Sequence, residues 1–144
     1  MALDELYRQV ILDHYRNPRH RDEIVDPDGH AEGVNPLCGD EVQVDLQIAD
    51  GVVSDVAVRG QGCSISQSSA SMMGDAIVGK SVEQITLLAE RFHQMMSSED
   101  GGEPDLELGD LSALQGVRKF PVRIKCAGLP WATLEQALAS VNGG

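Results

Sequence analysis

Apolar residues at the start of the chain recur at helical spacing. Leu3, Leu6, Tyr7, Val10, Ile11 and His14 fall on one face, the pattern of an amphipathic helix. Asp4 and Glu5 suit its positive end and Arg16 its negative end, and Asn17-Pro18 stops it. Residues 19–36 read as loop, with a short edge strand from His30 to Val34. The period then changes. Val42, Val44, Leu46 and Ile48 alternate with Gln43, Asp45 and Gln47, which predicts a half-buried strand. Asp50-Gly51 is a hairpin signal, and Val52 to Arg59 returns with Val56 and Val58 inward. A run of small residues from Ser64 to Val78 predicts a helix that packs close to the sheet, ended by Gly79. Ser81-Val82-Glu83-Gln84 is a capping box. It opens a helix with Val82, Ile85, Ala89, Phe92 and Met96 on one face. Pro130 suits the first position of a last helix, which buries Leu134, Ala137, Leu138 and Val141. The sum is an α+β pattern, a small antiparallel sheet of about three strands against a layer of helices.

Charge breaks this pattern in two places. Residues 98–110 hold Glu99, Asp100, Glu103, Asp105, Glu107 and Asp110 with no Lys or Arg. With Gly101-Gly102 and Pro104 among them, they read as an acidic loop. Arg118, Lys119, Arg123 and Lys125 reverse the sign just before Cys126. A chain of 144 residues without internal repeat or boundary reads as one domain. Its net charge of −12 disfavours nucleic acid, and its 3% aromatic content leaves no stacking surface for single strands. No apolar run is long enough to span a membrane, and the N-terminus lacks a signal-peptide pattern. The expected location is the cytoplasm. In that compartment three cysteines, an odd count, point to metal or redox chemistry rather than to disulfides.

The cysteines are Cys38 in Asn35-Pro36-Leu37-Cys38-Gly39-Asp40, Cys63 in Gly60-Gln61-Gly62-Cys63-Ser64, and Cys126 after the basic residues. The predicted hairpin brings Cys38 and Cys63 to one end of the ribbon. Cys38, Asp40, Cys63 and Cys126 would then complete the tetrahedral, mostly thiolate set that zinc prefers. Gly39 lets Cys38 and Asp40 turn toward one point. A helix start beside Cys63 and basic residues beside Cys126 suit thiolates. The spacing contains no C-x-x-C. Taken singly, Cys63 and Cys126 read as small buried hydrophobes and Asp40 as a turn residue. His14 reads as a packed histidine, His20, His30 and His93 as surface residues, Lys125 as a solvated charge, and Met95-Met96 as core and rim.

Cys38-Gly39-Asp40, the Gly60-to-Met72 stretch with its Gly-Gln-Gly-Cys-Ser-Ile-Ser core, the late Cys126 and His14-Tyr15-Arg16-Asn17-Pro18-Arg19 resemble the IscU/NifU N-terminal iron–sulfur assembly family. The resemblance runs from about residue 4 to 141 and implies a SufE/NifU-like fold. The housekeeping scaffold of that family has His before its last cysteine, where this chain has Lys125. The scaffold also has a Leu-Pro-Pro-Val-Lys chaperone motif, which Phe120-Pro121-Val122-Arg123 matches with a single proline. With the acidic insertion, these departures resemble the SufU-type branch. That resemblance implies zinc on Cys38, Asp40, Cys63 and Cys126 and acceptance of persulfide sulfur on Cys38. It also implies a SufS-type cysteine desulfurase as donor and a SufBCD-type scaffold downstream.

Three functions follow. The first is a zinc-dependent sulfurtransferase, a sulfur carrier rather than a free-standing enzyme, with Cys38 as acceptor and Asp40 tuning its release. The second is a scaffold holding a [2Fe–2S] cluster on the same ligands. The third is a structural zinc adaptor. In the first, Arg118, Lys119, Arg123 and Lys125 are the expected docking patch for the desulfurase.

Overall fold

A computed structural model describes residues 2–36, 39–97 and 106–143, without the side chains of 2–7, 106–107, 118–119 and 142–143. Cys38, the acidic stretch 98–105 and the side chains of Arg118 and Lys119 therefore lie outside the described residues.

Helix α1 (Ala2–Arg16) leads into strands β1 (Gly29–Asn35), β2 (Asp40–Ala49) and β3 (Val52–Gln61). Helices α2 (Ser64–Ile77) and α3 (Val82–Ser97), a 3₁₀ segment (Leu106–Lys119) and helix α4 (Pro121–Gly143) follow. The three strands form one antiparallel sheet in the order β1-β2-β3. This is the α+β architecture that the residue pattern predicts. Asp50 and Gly51 both take positive φ, 55° and 76°, so the β2–β3 turn has the twist that favours a tight hairpin. The capping box closes as read. Gln84 N–H donates to Ser81 Oγ at 3.2 Å, and Ser81 N–H donates to Gln84 Oε1 at 2.9 Å.

The core lies on one face of the sheet. Val42, Val44, Leu46, Val56 and Val58 pack there with Met72, Met73 and Ile77 of α2 and Phe92 of α3. Trp131, Leu134 and Ala137 of α4 complete it. With few aromatics to spend, the chain stacks Phe92 on Trp131 at 5.0 Å between ring centroids. Helix α2 buries eleven of its residues, Ser66, Ser68, Ser69 and Ser71 among them. Small side chains are what permit a helix to be covered on nearly every face. Their hydroxyls are satisfied locally or across helices, as when Ser69 Oγ donates to the Ala127 carbonyl at 2.7 Å.

Helix α4 lies directly on β1. A Cβ at Gly29 would sit 2.6 Å from the Ala137 carbonyl oxygen, and one at Gly33 would collide with Thr133 Oγ1. Two glycines thus set the strand-to-helix distance. The segment after α1 starts at one edge of the sheet, where the His20 carbonyl accepts from Val58 N–H. It ends at the other edge, where Asp28 N–H donates to the Leu46 carbonyl. Ile24 on this segment and Ala57 on β3 are both buried yet stand outside the main core. That crossing covers part of the face opposite the helices.

Four expectations are corrected. Pro130 lies inside α4 rather than at its start. Pro121 takes the first position, where a missing N–H costs nothing. The helix runs through Pro130 because Cys126, Ala127, Trp131, Leu134 and Ala137 on it are all buried. That packing outweighs an interior proline's penalty of about 3 kcal/mol. Residues 106–110 are not loop; they begin the 3₁₀ segment, which kinks at Gly109 (φ 60°). Its Leu108, Leu111 and Leu114 are buried, so apolar spacing overrides the local acidity. His20, at the start of the crossing, is half-buried against Gly74 of α2 and bonds Asp75 at 2.7 Å. Asp45, on the strand face expected to be solvated, is buried and held by His30 and Arg59.

Candidate metal centre

The strand register builds one corner of the site. Asn35 pairs with Asp40 at the end of β1–β2, and Glu41 pairs with Gln61 at the end of β2–β3. Cys63, two residues beyond Gln61, therefore arrives beside Asp40. Its backbone N–H donates to Asp40 Oδ1 at 2.9 Å, and its Sγ lies 3.9 Å from Asp40 Oδ2. The intervening glycine has a steric reason. A Cβ on Gly62 would collide with Asp40 Oδ1 and lie 2.9 Å from Asp40 Cα, and its φ of 147° suits no other residue well. Cys63 is also the residue from which α2 starts.

Helix α4 supplies the third candidate ligand. Cys126 is fully buried, with Sγ 3.7 Å from the Val122 carbonyl oxygen and 3.8 Å from Asn35 Nδ2. The carboxylate of Asp40 and the sulfurs of Cys63 and Cys126 all lie within 4.8 Å of one another. Tetrahedral zinc with Zn–S bonds near 2.3 Å needs ligand atoms roughly 3.7 Å apart, so a small adjustment closes this set on an ion. Asp40 is 1% exposed and makes no ion pair with Lys, Arg or His among the described residues. A buried carboxylate without a countercharge is costly. The donor set therefore fits a divalent cation that prefers sulfur and one oxygen.

Of the expected ligands, Asp40, Cys63 and Cys126 converge; Cys38, two residues before Asp40, lies outside the described residues. Arg123 and Lys125 are exposed in the first turns of α4. Arg123 borders a groove of about 690 Å³ shared with Arg8, Ile65, Val117 and Phe120. Ser64 and Ile65, directly after Cys63, also line it, so a basic rim and the sulfur corner adjoin.

A family model for the NifU-like N terminal domain matches residues 6–127. The chain belongs to the NifU-like N-terminal domain family. Among its relatives is the zinc-dependent sulfurtransferase SufU of Bacillus subtilis, 45% identical over 146 residues, covering 99% of this chain and 95% of that one. The IscU scaffold protein of Streptococcus pyogenes is 40% identical over 139 residues, 94% of this chain and 84% of that one. Among solved structures, a proposed iron–sulfur assembly scaffold for the SUF system from Fervidobacterium islandicum superposes with a TM-score of 0.82 at 33% identity, covering 90% of this chain and 94% of that one. The NifU-like N-terminal protein of Brucella abortus shares the fold, with a TM-score of 0.86 at 24% identity over 99% of both chains.

For this NifU-like domain the residue pattern alone did not disclose two groups. Asn35, before a proline, reads as a turn residue, yet it reaches Cys126. Ser66, one of many small residues in α2, donates to the Cys63 carbonyl at 3.1 Å and lies 3.9 Å from Cys63 Sγ. Neither carries a signal that periodicity or spacing would separate from its neighbours.

Proposed function

We propose that this protein is a zinc-dependent sulfur carrier of iron–sulfur cluster assembly that accepts persulfide sulfur on Cys38. The observation that carries the reading is the convergence of Asp40, Cys63 and Cys126 at one largely buried corner, with Cys38 two positions from Asp40 in the chain. Likeness to a zinc-dependent sulfurtransferase across 99% of the chain supports the same choice. Bound zinc, held by Cys38, Asp40, Cys63 and Cys126, would stabilise their thiolates and shield them from oxidation.

The chemistry is an exchange at sulfur. The Cys38 thiolate attacks the outer sulfur of a persulfide on a SufS-type cysteine desulfurase. A new S–S bond forms on Cys38, the old one breaks, and the desulfurase cysteine leaves as thiolate. No outside oxidant or reductant enters. Asp40, with Oδ1 engaged by the Cys63 N–H, keeps its other oxygen for the metal and tunes release of Cys38. The sulfur then passes to a SufBCD-type scaffold. Arg118, Lys119, Arg123 and Lys125 form the docking patch, and the groove beside Arg123 gives it an apolar floor. The carrier works in the cytoplasm as a single domain.

A second reading is a scaffold for a [2Fe–2S] cluster, which the 40% identity to an IscU scaffold protein favours. Anaerobic purification separates the two. A colourless protein with about one zinc per chain supports the carrier, and a coloured, iron-bearing one supports the scaffold. Incubation with cognate desulfurase and cysteine should place persulfide on Cys38, detected by mass spectrometry, and none on Cys38→Ser at any site. Persulfide formation on the wild type that is insensitive to salt and to Arg123→Glu would remove the docking patch from the proposal.

A further inference from the structure

The stripe of small residues on β1 ends in a polar one. Gly29, Ala31, Gly33 and Asn35 alternate along the strand, on the face that Gly29 and Gly33 press against Ala137 and Thr133 of α4. Strand and helix run side by side, so the contact moves toward the start of α4 as β1 advances. At the end of the stripe the Asn35 side chain, itself buried, meets Cys126. Its Nδ2–H donates to Cys126 Sγ at 3.8 Å, within the normal reach of a bond to sulfur. The backbone of Asn35 is paired across the ladder with Asp40. One residue thus braces two candidate ligands from different elements.

We propose that Asn35 is a positioning residue for the metal centre, its amide fixing Cys126 Sγ and drawing off part of that sulfur's charge. The proposal rests on the metal-binding reading above. Asp40, Cys63 and Cys126 as anions outweigh a divalent cation, and Asp40 and Cys126 are buried, so the excess negative charge on them is poorly solvated. The positive end of an amide dipole aimed at one thiolate offsets that excess. It also holds the sulfur in a single rotamer before metal arrives, which reduces the ordering needed on binding. A cysteine so bonded is the stationary member of the ligand set.

The variants are Asn35→Asp, which keeps the shape but replaces the donor with an anion, and Asn35→Ala, which removes the group. Zinc affinity is measured by competition with a chromogenic chelator. The sulfur-to-metal charge-transfer band is read after loading with Co²⁺. Asn35→Ala should weaken zinc binding 10- to 100-fold, about the size of effect that outer-shell partners exert, and Asn35→Asp should weaken it more. In both the Co²⁺ band should move to longer wavelength, because a thiolate without its hydrogen bond is a stronger donor. A purely structural role would lower affinity without moving the band, and that result overturns the proposal, as does wild-type affinity in both variants. If Asn35→Asp loses its circular-dichroism signature of folding, Asn35→Ala gives the same two readouts. A wild-type chain that binds neither zinc nor Co²⁺ sinks the metal reading and this inference together, whereas wild-type binding with an unmoved band sinks this inference alone.

Discussion

Two polar clusters are buried against α2, and they are finished to different degrees. Around Ser71, the His14 ring is 1% exposed and both its nitrogens are engaged, Nδ1 with Ser71 Oγ at 2.8 Å and Nε2 with Asp110 Oδ2 at 2.9 Å. Ser71 Oγ also accepts the Arg19 N–H at 3.0 Å. The cluster ties α1, α2 and the 3₁₀ segment together, with both nitrogens of its buried ring engaged. At the start of α2, Asp40 is equally buried, yet among the described residues it meets a backbone N–H and a thiol and no cation. The first cluster is satisfied from within the chain. The second is arranged as a set of donors that, among the described residues, meets no positive charge. The contrast shows how a structural polar cluster differs from a candidate binding site when each is centred on a buried group, His14 in one and Asp40 in the other.

The harshest way to break the comparison is Gly62→Ala. A methyl group there collides with Asp40 at a backbone angle unfavourable to side chains. Strain and overpacking together should destabilise the fold by about 4 kcal/mol and displace the carboxylate. Urea unfolding and zinc titration of the same sample check both effects, and a variant with wild-type zinc affinity would refute the close approach.

Next in size is His14→Ala. It removes the buried bond to Ser71 and the part-buried one to Asp110 and empties a fully buried ring position, which should cost about 3 kcal/mol in urea unfolding. Zinc affinity should stay within about twofold, because this cluster's role is structural. An equal loss of metal binding would mean that the two clusters act as one.

Asp40→Asn sharpens the comparison from the other side. It keeps the shape and an oxygen for the Cys63 N–H while removing the charge. The metal-free protein should gain about 1 kcal/mol in stability, while zinc affinity should fall at least tenfold. A metal-free protein destabilised by this change would show that the carboxylate is balanced without a metal.

The smallest effect lies on the outer face of the sheet. The hydrogen bond that the His30 ring donates to Asp45 raises its pKa above the ordinary 6.5, against the opposing effect of partial burial and with help from Glu32. The folded chain therefore holds this proton more tightly than the unfolded one. The stabilisation is complete below pH 6.5 and is lost as pH rises through the higher folded value. The ring is 46% exposed, so solvent screening keeps the effect below about 1 kcal/mol. The stability gap between wild type and His30→Gln should shrink between pH 6 and pH 8; a gap that widens would reverse the sign.

Much of this was legible in the chain because the rules involved are local. The period of α1, the Asp50-Gly51 turn and the Ser81 capping box each depend on residues within a few positions of one another. So do the glycines that flank Cys63, and rare cysteines stand out in any composition. The misreadings share a cause. Pro130 looked like a helix start, but burial of Trp131 and Leu134 carries the helix across it. Acidity at 106–110 looked like loop, but Leu108 and Leu111 are drawn into the core and Asp110 closes on His14. In each, a long-range contact outweighed a local preference of a few kcal/mol at most.

By itself the sequence determined most of the elements, the hairpin and the candidate ligands, since helix and strand periods and the chemistry of thiols need no partner to be read. Only the tertiary structure decided that Asp40, Cys63 and Cys126 meet within 4.8 Å, that Asn35 braces the third of them, and that His14 is spent on structure. Each of those facts joins positions tens of residues apart. What joins them is the closeness of β1 to α4 that Gly29 and Gly33 allow, together with the burial of α2 against its neighbours.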